Sequence, residues 1–211
     1  MTQDSPFACP KRLVPLVLAS ASPRRRDLLA AAGWEHEVCP ADVDESPRIG
    51  EAPLACCERL ARDKALAVGN TLGRSRGGVL AGDTIVEVDG EMLGKPVDRQ
   101  GAKVMLRQLS GRAHRVVSSV ALIEVETEQL LSGIAISEVR FDELDETQLA
   151  AYLDTNEWRG KAGAYAIQGE AGAFAHLVSG EMDTVIGLPM KLVKTLAGSL
   201  EEPRLGKDLE S

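Results

Sequence analysis

A short apolar run at residues 14–19 is followed at once by Ser20-Ala21-Ser22-Pro23-Arg24-Arg25-Arg26, and then by Leu28, Leu29 and Ala32 at helical spacing. That succession folds in few ways: a buried strand, a tight turn, a helix. Ser22 stands at the N-cap and Pro23 at the first helical position, while Gly33 closes the helix. Three guanidiniums in the first turn oppose the helix dipole, whose positive end lies beside them. An anion relieves the opposition, and the unpaired N–H groups of a helix start already suit one. The segment asks for a phosphate-rich ligand, although a capped surface helix or a phosphorylation site would use the same residues.

With 211 residues the chain is long enough for one substantial domain, or for one domain built as two lobes around a cleft. A net charge of −8 argues against a broad nucleic-acid or anionic-membrane surface, so its basic groups act in small clusters suited to a small anion. Cys9, Cys39, Cys56 and Cys57 form neither a C-x-x-C pair nor a zinc spacing, and His36, His114 and His176 lie far apart. Free thiols in a reducing cytosol follow. Lys11-Arg12 before the apolar run, with Ala19-Ser20-Ala21 after it, mimics a secretion signal. The run is too short for one, Pro15 interrupts it, and arginines follow directly. No stretch approaches the ~20 apolar residues of a membrane helix. The expectation is a soluble, cytoplasmic protein with no nucleic-acid or membrane partner.

Along the chain, residues 1–12 read as a loose extension, 13–198 as a single domain with a mixed sheet, and 199–211 as a polar tail. A short strand at 35–39 leads into the acidic turn Asp42-Val43-Asp44-Glu45. Pro53 opens a second helix on which Leu54, Cys57, Leu60, Ala61, Lys64, Ala65 and Val68 share one face. A lysine on that stripe fits a snorkelling side chain at the edge of the core. Residues 79–81 and 85–88 read as strand, interrupted at Gly82-Asp83-Thr84. Asp89-Gly90 predicts a hairpin to a strand at 91–93. Asp98 caps a third helix closed by Gly111, and two long strands are predicted at 114–125 and 129–139. Asp145 with Gln148 forms a capping-box start for a fourth helix. A glycine- and alanine-rich loop at 156–172 precedes a strand at 174–178 and a last helix from Leu188-Pro189.

Four groups of residues carry chemistry. Ser20, Ser22, Arg24 and Arg25 can neutralise several phosphate oxygens, since arginine forks bind them bidentately. Asp83, placed where the strand is expected to break, suits a metal ligand or general base, or only caps a turn. Glu45 could fold towards the same cleft or stay in a solvated loop. Lys64 and Lys95 are cations, the second fixed between Gly94 and Pro96. Gln168, in Ala166-Ile167-Gln168-Gly169, offers a donor and an acceptor to the edge of a base or to its own loop. Together they hold what metal-assisted cleavage of a phosphoanhydride requires.

The motifs also occur in an order that belongs to a known family. They are Leu18-Ala19-Ser20-Ala21-Ser22-Pro23-Arg24-Arg25, Asp44-Glu45, Leu60-Ala61-Arg62-Asp63-Lys64-Ala65, Ala81-Gly82-Asp83-Thr84, Leu93-Gly94-Lys95-Pro96, Leu109-Ser110-Gly111, Lys161-Ala162-Gly163-Ala164-Tyr165-Ala166-Ile167-Gln168-Gly169 and Val185-Ile186-Gly187-Leu188-Pro189. The chain resembles the Maf-like nucleoside triphosphate pyrophosphatases, once described as septum-formation inhibitors. The resemblance implies an α/β fold of the Maf and inosine-triphosphatase type, an elongated mixed sheet flanked by helices with two lobes around a central cleft. It implies cleavage of a nucleoside triphosphate between the α- and β-phosphates, in a homodimer using Mg²⁺ or Mn²⁺. Mapped here, Ser20, Ser22, Arg24, Arg25, Lys64 and Lys95 bind phosphates, Glu45 and Asp83 hold the metal, and Asp83 is the catalytic base. Thr84 and Gln168 match the branch acting on dTTP and UTP. The sister branch, which prefers 7-methyl-GTP, lacks this glutamine signature. The remaining rivals are that branch and a non-catalytic nucleotide-binding regulator of cell division. Arg26 either reaches the γ-phosphate or faces solvent, and the pair Ser118-Ser119 departs from the family's usual threonine and small residue.

Overall fold

The predicted first strand is β1 (Leu16–Leu18), buried along its whole length. It lies inside the sheet, with β2 (Glu37–Val38) parallel on one edge and β3 (Gly78–Val88) parallel on the other. This computed structural model describes residues 8–73 and 75–200. β3 continues into antiparallel pairing with β5 (Ala113–Glu124), then β6 (Gln129–Phe141) and β7 (Ala175–Ser179), giving the order β2-β1-β3-β5-β6-β7. The seventh strand, β4 (Glu91–Leu93), pairs with the far end of β3. Asp89 and Gly90 both take positive φ, 54° and 84°, so the two-residue hairpin forms as the sequence requires.

Alternation along the strands sorts side chains to the two faces of the sheet. On one face Leu16, Leu18, Leu80 and Leu122 meet Leu29 of α1 (Pro23–Ala31) and Val193 of α6 (Met190–Ser199). On the other, Val17, Val79, Ala81 and Ala121 meet Ala61, Ala65 and Val68 of α2 (Pro53–Gly69). A separate core gathers Val86 and Val88 with Leu106 of α3 (Arg99–Leu109), Leu149 and Leu153 of α4 (Glu146–Asp154), and Trp158 and Tyr165. These are the two lobes, joined by the long strands. Asp98 caps α3 by accepting from the Gly101 N–H at 2.7 Å, and Asp145 with Gln148 completes the expected capping box on α4.

β3 does not break at Gly82-Asp83-Thr84. Those residues pair in unbroken register with Val120, Ser119 and Ser118 of β5, and cross-strand pairing overrides their weak strand preference. The interruption lies on the opposite edge instead. There β3 meets β1 only over 78–80 and β4 only over 86–88, so residues 81–85 face a gap. Three smaller corrections follow. Val14 falls outside β1 and is 51% exposed. A short helix, α5 (Met182–Ile186), precedes the predicted last one. The ends are anchored further out than expected: Arg12 donates to the Ala197 carbonyl at 2.9 Å, and Leu200 is buried. Residues 1–7 and 201–211 of the expected loose ends lie outside those described. Among the described residues no helix is long and apolar enough to cross a membrane.

Candidate active site

The gap beside β3 opens into a cleft of roughly 630 Å³ between the lobes. It lies at the carboxyl end of β1, where the chain leaves for β2 on one side and β3 on the other, the usual place for a ligand in an open α/β sheet. Ala19 N–H still bonds the Leu80 carbonyl at 2.8 Å; the next residues turn away into α1. Ser20 is buried, and its Oγ accepts from the Ser22 N–H at 3.2 Å. Ser22 occupies the expected N-cap position but its side chain makes no capping bond.

Arg25 is fixed on three sides. Its Nε donates to the Gly187 carbonyl at 2.7 Å, Nη1 to Ser20 Oγ at 3.1 Å and Nη2 to Thr84 Oγ1 at 3.0 Å. Burial lowers its pKa while Asp83 opposes the shift. Gly187, at φ 119°, ends α5 so close to β3 that a Cβ would stand 2.9 Å from Thr84 Oγ1. Ser118 Oγ donates to the Thr184 carbonyl at 2.7 Å, so the 2.8 Å contact between Thr84 and Ser118 is one in which Thr84 donates. The Thr84 hydroxyl therefore braces Arg25, and Ser118 gains a role the sequence did not disclose. Arg24 lines the cleft with no hydrogen bond or ion pair to the described residues, and burial together with Arg25 lowers its pKa. Arg26 faces solvent beside Asp27.

The carboxylates meet on the lysines. Lys64 does not snorkel: it is 6% exposed, and its Nζ lies 2.6 Å from both Glu45 Oε1 and Asp83 Oδ1. Lys95 Nζ lies 2.8 Å from Glu45 Oε2. Burial would raise the Glu45 pKa, but hydrogen bonds from Lys64 and Lys95 outweigh it and bring the value to about 2. Glu45 arrives on an irregular loop that Arg59 fastens to α2. The Arg59 guanidinium forks onto Glu51 at 2.6 and 2.7 Å and reaches the Ser46 carbonyl at 3.2 Å. Only the i,i+4 spacing of Arg59 and Asp63, which pair at 3.3 Å, hinted at an anchored arginine.

Gln168 lines the same cleft, its amide without a hydrogen bond to the described residues. Two cations that sequence reasoning left without a role, Arg159 and Lys161, line it too. Burial and the nearby Arg24 lower the Lys161 pKa. Six cationic side chains thus face two carboxylates. Among the described residues no three His, Cys, Asp or Glu side chains group for a metal. A carboxylate pair still fits Mg²⁺ or Mn²⁺, hard ions that take one or two carboxylates and complete their shell with substrate phosphates and water.

Fold and site define a class: α/β proteins whose mixed sheet opens, where β1 passes into its helix, onto a cleft rich in cations and floored by a carboxylate. The chain belongs to the Maf family, whose model, described as Maf-like protein, matches residues 15–200. It is 47% identical over 176 residues to a dTTP/UTP pyrophosphatase of Hahella chejuensis, covering 83% of this chain and 87% of that one. A protein of the same description from Rhodospirillum rubrum is 46% identical over 190 residues, 89% of each chain. A third, from Thermococcus gammatolerans, is 43% identical over 178 residues, 84% of this chain and 92% of its own.

Proposed function

We propose that this protein hydrolyses dTTP and UTP, and modified pyrimidine triphosphates, to the monophosphate and pyrophosphate. The observation that carries the reading is the convergence of Arg24, Arg25, Lys64 and Lys95 with Asp83 in one cleft. Relatives described as dTTP/UTP pyrophosphatases support it. Arg24 and Arg25 hold the phosphate chain at the start of α1, with Ser20 and Ser22 contributing hydroxyls. Asp83 Oδ1 is bonded to Lys64, leaving Oδ2 to take the proton from a water attacking the α-phosphorus. The bond from that phosphorus to the bridging oxygen breaks, and the departing pyrophosphate carries its charge into Lys64, Lys95 and the arginines. A divalent ion on Glu45 and Asp83, when bound, supplies further neutralisation of the phosphate oxygens. Gln168 pairs with the pyrimidine edge, and Thr84 contributes by holding Arg25.

The reading extends to a homodimer in the cytoplasm; the four free thiols suit that compartment. A panel of standard and modified triphosphates with Mg²⁺ and Mn²⁺, scoring pyrophosphate separately from orthophosphate, tests it. Pyrophosphate release greatest with dTTP and UTP is expected. Orthophosphate as the first product, or no turnover of any triphosphate, would overturn it.

A further inference from the structure

The Lys64 ammonium sits where the two carboxylates converge, and its surroundings bear on how a divalent ion can enter. It rides on the buried stripe of α2, between Ala61, Ala65 and Val68, with its side chain 8% exposed. Its Nζ donates to Asp83 Oδ1 at 2.6 Å and forms an ion pair with Glu45 Oε1 at the same distance. Lys95 takes the second oxygen of Glu45 at 2.8 Å. Both carboxylates are therefore already neutralised, one ammonium for each. Arg24, Arg25, Arg159 and Lys161 line the same cleft and form no ion pair with a carboxylate among the described residues. A bare dication entering here meets an excess of positive charge and three carboxylate oxygens already spoken for. A dication already chelated by a triphosphate is an anion overall, and it brings several of the oxygens that a six-coordinate ion needs.

We infer that Lys64 is the resident counter-cation of the Glu45–Asp83 pair, so that a divalent ion enters this cleft as its chelate with the nucleotide and not alone. The inference rests on the proposed reading of Glu45 and Asp83 as metal-holding residues. It adds an order: metal and triphosphate arrive together, and Lys64 keeps donor capacity for an incoming phosphate oxygen. Free metal in excess does not preload the protein.

The test is a titration of the full chain with Mn²⁺, following the free ion by electron paramagnetic resonance, with and without a UTP analogue carrying a methylene between the α- and β-phosphorus. Mn²⁺ alone is expected to bind about 100-fold more weakly than Mn²⁺ with the analogue, the upper range of coupling between two ligands. Lys64→Met is expected to strengthen the binding of Mn²⁺ alone by about tenfold, by removing the competing charge. Lys95→Met, at a more exposed position that bears little on folding, should strengthen it by a smaller factor. Tight binding of Mn²⁺ alone to the unaltered protein would overturn the inference and leave the proposed activity standing. Absence of Mn²⁺ binding even with the analogue would overturn the metal-holding reading itself, and the inference with it.

Discussion

Asp83 and His114 are both buried titratable side chains, and they make opposite use of burial. Asp83 is held beside an ammonium and an arginine at the floor of the cleft. Asp83→Asn keeps the shape but removes the proton acceptor. Turnover should fall by roughly 10²- to 10⁴-fold with little change in the melting profile. An Asn variant releasing pyrophosphate at the original rate would exclude Asp83 as the base. His114 has no charged partner; its Nε2 meets the Tyr165 hydroxyl at 2.8 Å while Nδ1 has no partner among the described residues. Burial lowers its pKa from 6.5 to about 4. Between those values the unfolded chain binds a proton that the folded one refuses, so stability is unaffected above about pH 6.5 and declines as pH falls towards 4. The loss between pH 7 and pH 5 should be about 2 kcal/mol by urea unfolding, and His114→Phe should remove it. A variant with the same pH slope would assign that slope to other groups. At this scale the sequence showed which residues are chemically able. It did not show that Lys64 turns inward, because an apolar stripe accommodates a snorkelling lysine and a buried one alike.

The elements most involved in the site are α2 and the irregular loop before it. Arg59, on the first half of α2, is the only described side chain that ties Glu51 and the Ser46 carbonyl together, and Glu45 is the next residue along. Arg59→Ala should loosen that approach and lower kcat/KM for UTP by about 10- to 100-fold, the cost of an ångström-scale misplacement. Arg59→Lys should recover only part, because an ammonium cannot fork onto a carboxylate. Equal activity of the alanine variant would show that Glu45 is placed by Lys64 and Lys95 alone. Caps, hairpin and amphipathic helices were readable because their signals are local: Asp98, Asp145 and Asp89-Gly90 each act within a few residues. β3 was misread at its middle for the same reason. Gly82-Asp83-Thr84 resembles a turn until β5 pairs with it, and that partner lies more than 30 positions away.

For the whole molecule, the contrast is between an acidic surface and a basic cleft. The chain carries a net charge of −8, yet cations outnumber carboxylates where the lobes face each other. Binding of a polyphosphate should therefore depend steeply on ionic strength, since screening shortens to about 3 Å near 1 M salt and is about 10 Å at 0.1 M. KM for UTP should rise severalfold between 0.05 and 0.5 M KCl while kcat changes less; a flat KM would mean that short contacts alone hold the phosphates. By itself the sequence determined most of the elements, the mixed sheet and the residues fit to handle a phosphoanhydride, because periodicity, caps and side-chain chemistry are properties of neighbours. Only the tertiary structure decided that β1 and β4 leave a stretch of β3 uncovered, and that Glu45, Lys64, Asp83 and Lys95 meet there. Strand pairing and charge pairing join residues far apart in the chain, and no local pattern records them.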